Sequence, residues 1–490
     1  MGRGQPVRCR GCSALVDTAQ AGFAKMDATL ERSVNLVVAP EPRCRPRPGQ
    51  RSELSGQLGC LIAGIDALLS RQVNAILHHS RFQQLEASWQ GLRFLVQQAD
   101  EDDALKVRLL SATKRELYKD LDNAIEFDQS ELFRKIYRDA FKMPGGEPFG
   151  ILIGDYEFSH HLEDVTMLTK ISEVAALSFC PFIAGASPAL FGTRDFSALE
   201  LPRDLERQFA GEEYREWRDL RDLSESTFIG LTLPRVLLRL PYGQGELLDE
   251  GFDFREDVEG PDARKYLWGN AAYAFGQVLM RAFAETGWLA DIRGVTRGEA
   301  AGGLVTGLPV ASFGTDRLGV VAKCPTDLTV VDTQEKDLTE LGIIPLCHCH
   351  GTEFCAFYGT PSLRQPKNYT ELSATMNAKV SAMLHYVFCA SRFAHFLNAI
   401  ARDLVGSSAE ATEIQSRLND WLNNYVLDDP DPSAEMMARH PLRAAQCEVR
   451  ARRGTAGSYD CVIHLQPHYQ LDGVTAALEL KGLRIEAAGG

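Results

Sequence analysis

Several signatures of chemistry are missing from this 490-residue chain. It contains no Gly-Lys dipeptide, which excludes the glycine-rich phosphate cradle ending in Gly-Lys-Ser/Thr. No His-Glu-x-x-His occurs, and the pairs His78-His79 and His160-His161 have no matching cluster, so a zinc-peptidase helix is excluded too. Twelve cysteines are too sparse for a disulfide-stapled secreted scaffold, and the start lacks the charged head, apolar core and cleavage site of a signal peptide. A reducing cytoplasm is the expected location. Positive charge is in short supply: 52 basic against 66 acidic residues leave a net charge of −14, which argues against coating nucleic acid or anionic lipid. The apolar stretch 268–288 is interrupted by Asn270, Gln277, Arg281 and Glu285, so it cannot supply about 18 uncharged residues for a bilayer span. No membrane segment is expected, and no internal repeat of about 20 to 50 residues stands out.

What is present is an ordinary globular balance, 45% hydrophobic and 24% charged, enough for two to four domains at about 150 residues each. Residues 1–56 carry nine Lys or Arg against five acids, making this segment +4 and the remainder −18. Its tail, 40–49, is too rich in proline for helix or central strand and reads as an extended linker. Residues 15–36 suit a short helix followed by the apolar run 34–38, so the front reads as a detachable arm. From Leu58 the pattern changes: Leu58, Leu61, Ile62, Ile65, Leu68, Leu69, Val73, Ile76 and Leu77 recur at helical spacing, as do Phe82, Leu85, Trp89, Leu92 and Val96. Two amphipathic helices are predicted, with a stripe that suits a partner helix as well as a core.

Next, 149–154 and 181–186 are buried-strand runs flanking a helical pattern at Val165, Leu168, Ile171, Val174 and Ala175, a βαβ unit. Further on, 266–285 reads as helix, 326–331 as strand, 333–341 as helix ending at Gly342, and 343–349 with 354–358 as a strand pair. The apolar positions from Leu372 to Ala401 then lie on one predicted helix of about 35 residues, roughly 50 Å long, followed by a helix carrying Ile414, Leu418, Trp421 and Tyr425. Three alternating runs close the chain, at 447–451, 459–465 and 474–480. The expected fold is mixed α/β (α+β): an N-terminal helical hairpin, central mixed-sheet domains with flanking helices, long C-terminal helices and a small terminal antiparallel sheet. The divisions fall at 1–56, 57–100, 101–365 and 366–490.

Each chemical motif has a plainer reading. Gly185-Ala-Ser-Pro-Ala189 approaches a nucleophile elbow, but Ala189 breaks the pattern and Ser187-Pro188 is what a helix start wants. Cys347-His-Cys-His350 with Cys355 has zinc-ligand composition, yet on a strand the cysteines and histidines point to opposite faces. Cys9-Arg-Gly-Cys12 lacks a second pair. The run Glu246, Asp249, Glu250, Asp253, Glu256, Asp257, Glu259 and Asp262 lacks the ligand order of a calcium loop and reads as solvated. No metal, cofactor or catalytic constellation is expected.

Longer motifs carry more. Phe82-Gln-Gln-Leu-Glu-Ala-Ser-Trp-Gln-Gly-Leu-Arg-Phe-Leu-Val96, Gly145-Gly-Glu-Pro-Phe-Gly150, Gly154-Asp-Tyr156, Pro181-Phe-Ile-Ala-Gly-Ala-Ser-Pro188, Ile229-Gly-Leu-Thr-Leu-Pro-Arg235, Leu240-Pro-Tyr-Gly243, Lys323-Cys-Pro-Thr-Asp327, Arg392-Phe-Ala-His395 and Pro467-His-Tyr-Gln-Leu-Asp-Gly473 occur in this order. Together they resemble the large contractile-sheath subunit of type VI secretion systems, the TssC/VipB family, over about residues 57–482. Residues 1–56 depart from that family's acidic, helix-rich front.

The resemblance implies a mechanical protein without catalysis. With a small sheath subunit (TssB/VipA type) it would form a helical polymer of itself around an inner tube protein, on a baseplate, and contract. Family members are recycled by an AAA+ unfoldase. Carried onto this sequence, Ile65, Leu69, Val73, Ile76, Leu85 and Trp89 are candidates for the small-subunit interface. Val34, Leu36 and Val38 are the candidate donor strand for exchange between copies, and Cys461, Ile463, Leu465, Val474 and Leu478 the candidate acceptor. Leu15, Phe23 and Leu30 are candidates for unfoldase recognition. Nucleic acid and membrane insertion are not expected. The alternatives are a soluble adaptor pairing through residues 58–96, or a hydrolase built around Ser187 or the 347–355 cluster.

Overall fold

The computed structural model describes residues 51–98, 105–124, 126–143, 145–200, 203–243, 252, 254–259, 262–295, 301–310, 324–349, 352, 354–404, 411–427, 429, 432–451, 459–468 and 478–485. Leu15, Phe23, Leu30, Val34, Leu36, Val38 and Val474, and with them the predicted arm, lie outside the described residues. The chain divides into two units, 1–65 and 66–490. In the first, the described residues belong to helix α1 (Arg51–Leu77), with Leu58, Leu61, Ile62 and Ile65 exposed.

The second unit contains helix α3 (Lys114–Asn123) and a two-stranded ribbon of β4 (Val236–Leu237) and β5 (Trp268–Gly269), and is built on a six-stranded sheet. Strands β1 (Leu152–Phe158), β2 (Phe182–Ala186), β3 (Ile229–Leu233) and β7 (Ile343–His348) run parallel, and β8 (Cys355–Phe357) and β6 (Leu304–Val305) close one side antiparallel, in the order β1-β2-β3-β7-β8-β6. Its apolar residues alternate between two cores, as a period of two requires. Phe182, Ala184, Ile229, Leu231 and Ile343 face a core shared with helices α4 (Leu162–Ser178) and α5 (Arg215–Asp222). Ile183, Ile344 and Leu346 face the other, with helix α6 (Ala271–Thr286). The predicted βαβ unit is β1-α4-β2. Asn270 caps α6 by accepting from the Ala272 N–H at 2.9 Å and donates to the Tyr156 carbonyl at 3.1 Å, stitching the helix to β1.

Two predicted elements differ. Residues 326–331 make one bridge, Val236 to Thr326, in place of a strand. The Asp327 carboxylate and N–H are both taken by the Arg235 backbone, at 2.9 and 3.1 Å, which turns the segment away from any ladder. Helix α7 (Asp332–Glu340) follows and stops before Gly342, whose φ of 79° suits glycine. The single long helix is two, α8 (Leu372–Ser381) and α9 (Leu384–Leu404). The break is tertiary: Ser362 N–H bonds the Ala382 carbonyl and Leu384 N–H bonds that of Thr360, pulling the backbone out of its helical ladder.

The C-terminal part packs α9 and α10 (Ala411–Asn423) against an antiparallel sheet of β9 (Leu442–Ala451), β10 (Tyr459–Pro467) and β11 (Leu478–Ile485), ordered β11-β10-β9. Phe393, Leu397, Ile414, Leu418, Cys447, Cys461, Ile463 and Leu465 form its core. Trp288 stacks on Phe393 with ring centroids 4.2 Å apart.

Three buried groups set the response to acid. Burial, then the nearby Arg293 charge, pulls His385 down to about 3, and burial pulls His395 down to about 4 although the Ser178 carbonyl bonds it. Burial pushes Asp327 up to about 7 against the pull of Arg235. Below the ordinary histidine value the unfolded chain binds protons that native His385 and His395 refuse, so stability falls with falling pH. Native Asp327 holds a proton that the unfolded carboxyl releases, so between about pH 4 and pH 7 its contribution rises toward acid. Two histidines outweigh one carboxyl, so these three groups together are expected to leave the protein less stable at pH 4 than at pH 7. Urea unfolding midpoints across that range check this; a flat or rising trend would contradict it.

Candidate assembly interfaces

Helix α1, from Asp66 on, and helix α2 (Ser80–Gln98) follow one another across a short break at 78–79. One side of α2 and the last turn of α1 are fixed to the body. A Cβ at Gly91 would lie 2.4 Å from the Tyr273 ring, so α2 approaches α6 this closely only because that residue is glycine. Leu95 is buried beside Gly276. Gln83 donates to the Arg264 carbonyl at 3.0 Å, Asn74 accepts from the Asp257 N–H at 2.9 Å, and Ser88 bonds the Asp155 carboxylate.

A buried charge knot locks the base. Arg239 meets Glu86 of α2 at 2.5 Å and Glu256 at 2.6 Å, and its guanidinium lies 4.3 Å from the Tyr242 ring centroid. Burial pulls the Arg239 pKa down, but hydrogen bonds to Glu86 and Glu256 outweigh it and hold it above the ordinary value. Glu256 also accepts from the Tyr242 N–H at 3.0 Å and approaches His78 at 3.4 Å. Among the described residues, the acidic run read as solvated thus contains one buried structural carboxylate, Glu256, which sequence spacing alone did not single out.

The outer side is bare. Leu69 is 41% exposed, Ile76 47%, Leu85 51% and Trp89 50%, with Val73 half-buried. In the first unit Ile65 is likewise exposed. Most of the stripe is therefore exposed, with Leu77 buried and Val73, Phe82 and Leu92 half-buried. Burying the exposed half of each such side chain returns about 1 kcal/mol. By length and composition alone Leu58–Leu77, mean hydropathy 1.4, is long and apolar enough to cross a membrane. Asp66 and Arg71 lie inside it, each costing about 2.5 to 3.5 kcal/mol at a helix centre in a bilayer.

The second candidate surface is the terminal sheet. Strand β10 is central and paired on both sides, so Cys461, Ile463 and Leu465 offer no free edge and are buried core instead. Leu478 belongs to β11, an outer strand.

Among the described residues the enzyme-like motifs are accounted for by structure, while Cys9, Cys12 and His350 lie outside the described residues. Ser187 accepts from the Ala189 N–H at 3.3 Å as a helix cap with Pro188 behind it. Cys347 and Cys355 are buried, Cys349 Sγ contacts the Tyr358 hydroxyl at 3.7 Å, and His348 bonds the Thr352 carbonyl at 2.7 Å. Among the described residues no group of three or more His, Cys, Asp or Glu could hold a metal ion. A cavity of about 540 Å³ between α4 and α5 is lined by Phe127, Leu162, Val165, Glu173, Glu216 and Asp219 among others, with no histidine, serine or cysteine.

Residues 60–364 match the EvpB/VC_A0108 tail sheath N-terminal domain, and residues 373–483 match the EvpB/VC_A0108 tail sheath gpW/gp25-like domain. The chain is 44% identical over 423 residues to the type VI secretion system sheath protein TssC1 of Pseudomonas aeruginosa, covering 86% of this chain and 84% of that protein. Among solved structures it has a loose likeness to a chain of the anti-feeding prophage baseplate, with a TM-score of 0.32, 9% identity, and coverage of 67% of this chain and 63% of that one. The anti-feeding prophage helical sheath in its contracted state gives a TM-score of 0.30, 10% identity, and coverage of 66% and 64%. The chain thus spans a little under two thirds of the length of these solved chains.

Proposed function

Since the chain belongs to the EvpB/VC_A0108 tail-sheath family and is a contractile sheath subunit of type VI secretion, we propose that it is the large subunit that copolymerises with a small TssB/VipA-type subunit. The tube so formed encloses an inner tube protein, stands on a baseplate in the cytoplasm, and contracts to drive the inner tube outward. Catalysis has no part in it. The observation that carries this reading is the set of exposed apolar side chains Leu69, Ile76, Leu85 and Trp89, with half-buried Val73, on two consecutive helices of which α2 is fixed to the body. Such a stripe at helical spacing is the surface that an amphipathic partner helix covers. Coexpression with the small subunit, followed by copurification, tests it: a stable complex is expected, and its absence would remove the assignment.

Rings of such subunits stay connected while they slide if an extended arm from one copy adds to the terminal sheet of another. In this reading Val34, Leu36 and Val38 are the donor, and Leu478 lies on the receiving strand. Deleting residues 1–50 is expected to abolish tubules while leaving the thermal unfolding of the body unchanged. Tubules of normal length from that deletion, seen by negative-stain microscopy, would sink the arm's role. Leu15, Phe23 and Leu30 would be gripped by an AAA+ unfoldase after contraction.

A further inference from the structure

The terminal sheet has two outer strands, and their edges are treated differently. Cys447 and Val449 of β9 are two residues apart, so both direct their backbone groups to the same side of the strand, away from β10. That side is occupied by α10. The Asn419 carboxamide accepts from the Cys447 N–H at 2.7 Å and donates to the Cys447 carbonyl at 3.1 Å, the two-point contact a neighbouring strand would make. Gln415, one helical turn earlier, accepts from the Val449 N–H at 3.0 Å. At the start of β9 the Leu442 N–H bonds the Tyr425 carbonyl and the Leu442 carbonyl receives the Leu427 N–H. The β9 edge is thus closed at three positions. Among the described residues no backbone bond reaches the outer edge of β11, although helix α9 lies against this strand.

An open edge accepts an extended chain; one whose amides are already satisfied does so only by leaving the displaced side chains unpaired. We infer that Gln415 and Asn419 direct the incoming strand of a second copy to β11 by closing β9, an assignment that rests on the strand-exchange reading above. They are positioning residues: a one-residue or one-edge error in strand addition presents the wrong side chains to the core. The strand that fits is short, extended and apolar at alternate positions, as residues 34–38 are.

The test uses the full chain coexpressed with the small subunit and carrying a benzophenone amino acid in place of Asn35. After irradiation, crosslinked peptides are assigned by mass spectrometry. With Gln415 and Asn419 intact, crosslinks within 478–485 are expected to exceed those within 442–451 by about tenfold, and in the Gln415→Leu/Asn419→Leu protein the ratio is expected to fall to within about twofold. Gln415→Ala alone, which leaves the Asn419 contact and perturbs the fold less, should give an intermediate ratio. A ratio indifferent to these substitutions, or crosslinks mainly to β9 in the parent, overturns the assignment while leaving strand exchange standing. Crosslinks to neither strand in any of these proteins defeat strand exchange, and the assignment with it.

Discussion

Replacing Leu69 and Ile76 together by glutamate is expected to abolish recovery of the small subunit and of tubules while moving the thermal midpoint of the large subunit by no more than about 2 °C. The asymmetry follows from exposure. Both side chains stand nearly half exposed on the bare side of α1, so in the isolated chain a charge there meets water. In a packed interface each carboxylate must be desolvated without a partner, and the apolar contact is lost as well. Central contacts of this kind cost about 2 kcal/mol or more apiece when truncated, so the pair should weaken association by at least about a hundredfold. Titration of purified small subunit against both proteins measures the effect. Unchanged affinity would move the interface elsewhere, and a collapse of the midpoint would mean that the stripe is core after all.

The opposite profile is expected of Arg239→Ala. That change leaves Glu86 and Glu256 facing each other with no cation between them, Glu256 being almost fully enclosed. Breaking a buried charge pair from one side costs about 3 to 5 kcal/mol, most of it the stranded charge. Denaturant unfolding should show that loss, and adding Glu256→Gln should recover part of it because the more deeply buried negative charge is removed. Equal stability of the single and double variants would contradict this account. Loss of the knot also loosens the base of α2, so assembly should fail alongside stability, whereas Leu69→Glu/Ile76→Glu separates the two.

Much of this was legible in the sequence because it depends on neighbours along the chain. The β1-α4-β2 unit is written in two short apolar runs around a helical pattern, the cap in Ser187-Pro188, and the end of α7 in Gly342. The three closing strands follow from alternation, although β11 runs to Ile485, past the end of the pattern at 474–480. Contacts between distant segments left no such trace. Met376, Val380, Met383 and Val387 keep helical spacing straight through the break between α8 and α9, because that break is imposed by backbone bonds from 360–362. Arg239, Glu86 and Glu256 look like surface charges until the fold brings together residues 153 apart. Gln415 and Asn419 read as the solvent side of an amphipathic helix, and only the sheet beside them shows what they bond. For the candidate interface, periodicity defined the stripe and exposure defined its use.

The central claim is that this chain polymerises with a small sheath subunit into a tube. Negative-stain electron microscopy of the two coexpressed subunits tests it most directly. The account predicts long tubules with cogwheel-shaped ends, lost on Leu69→Glu/Ile76→Glu; a stable, soluble complex that never forms tubules would contradict it and leave an adaptor in its place.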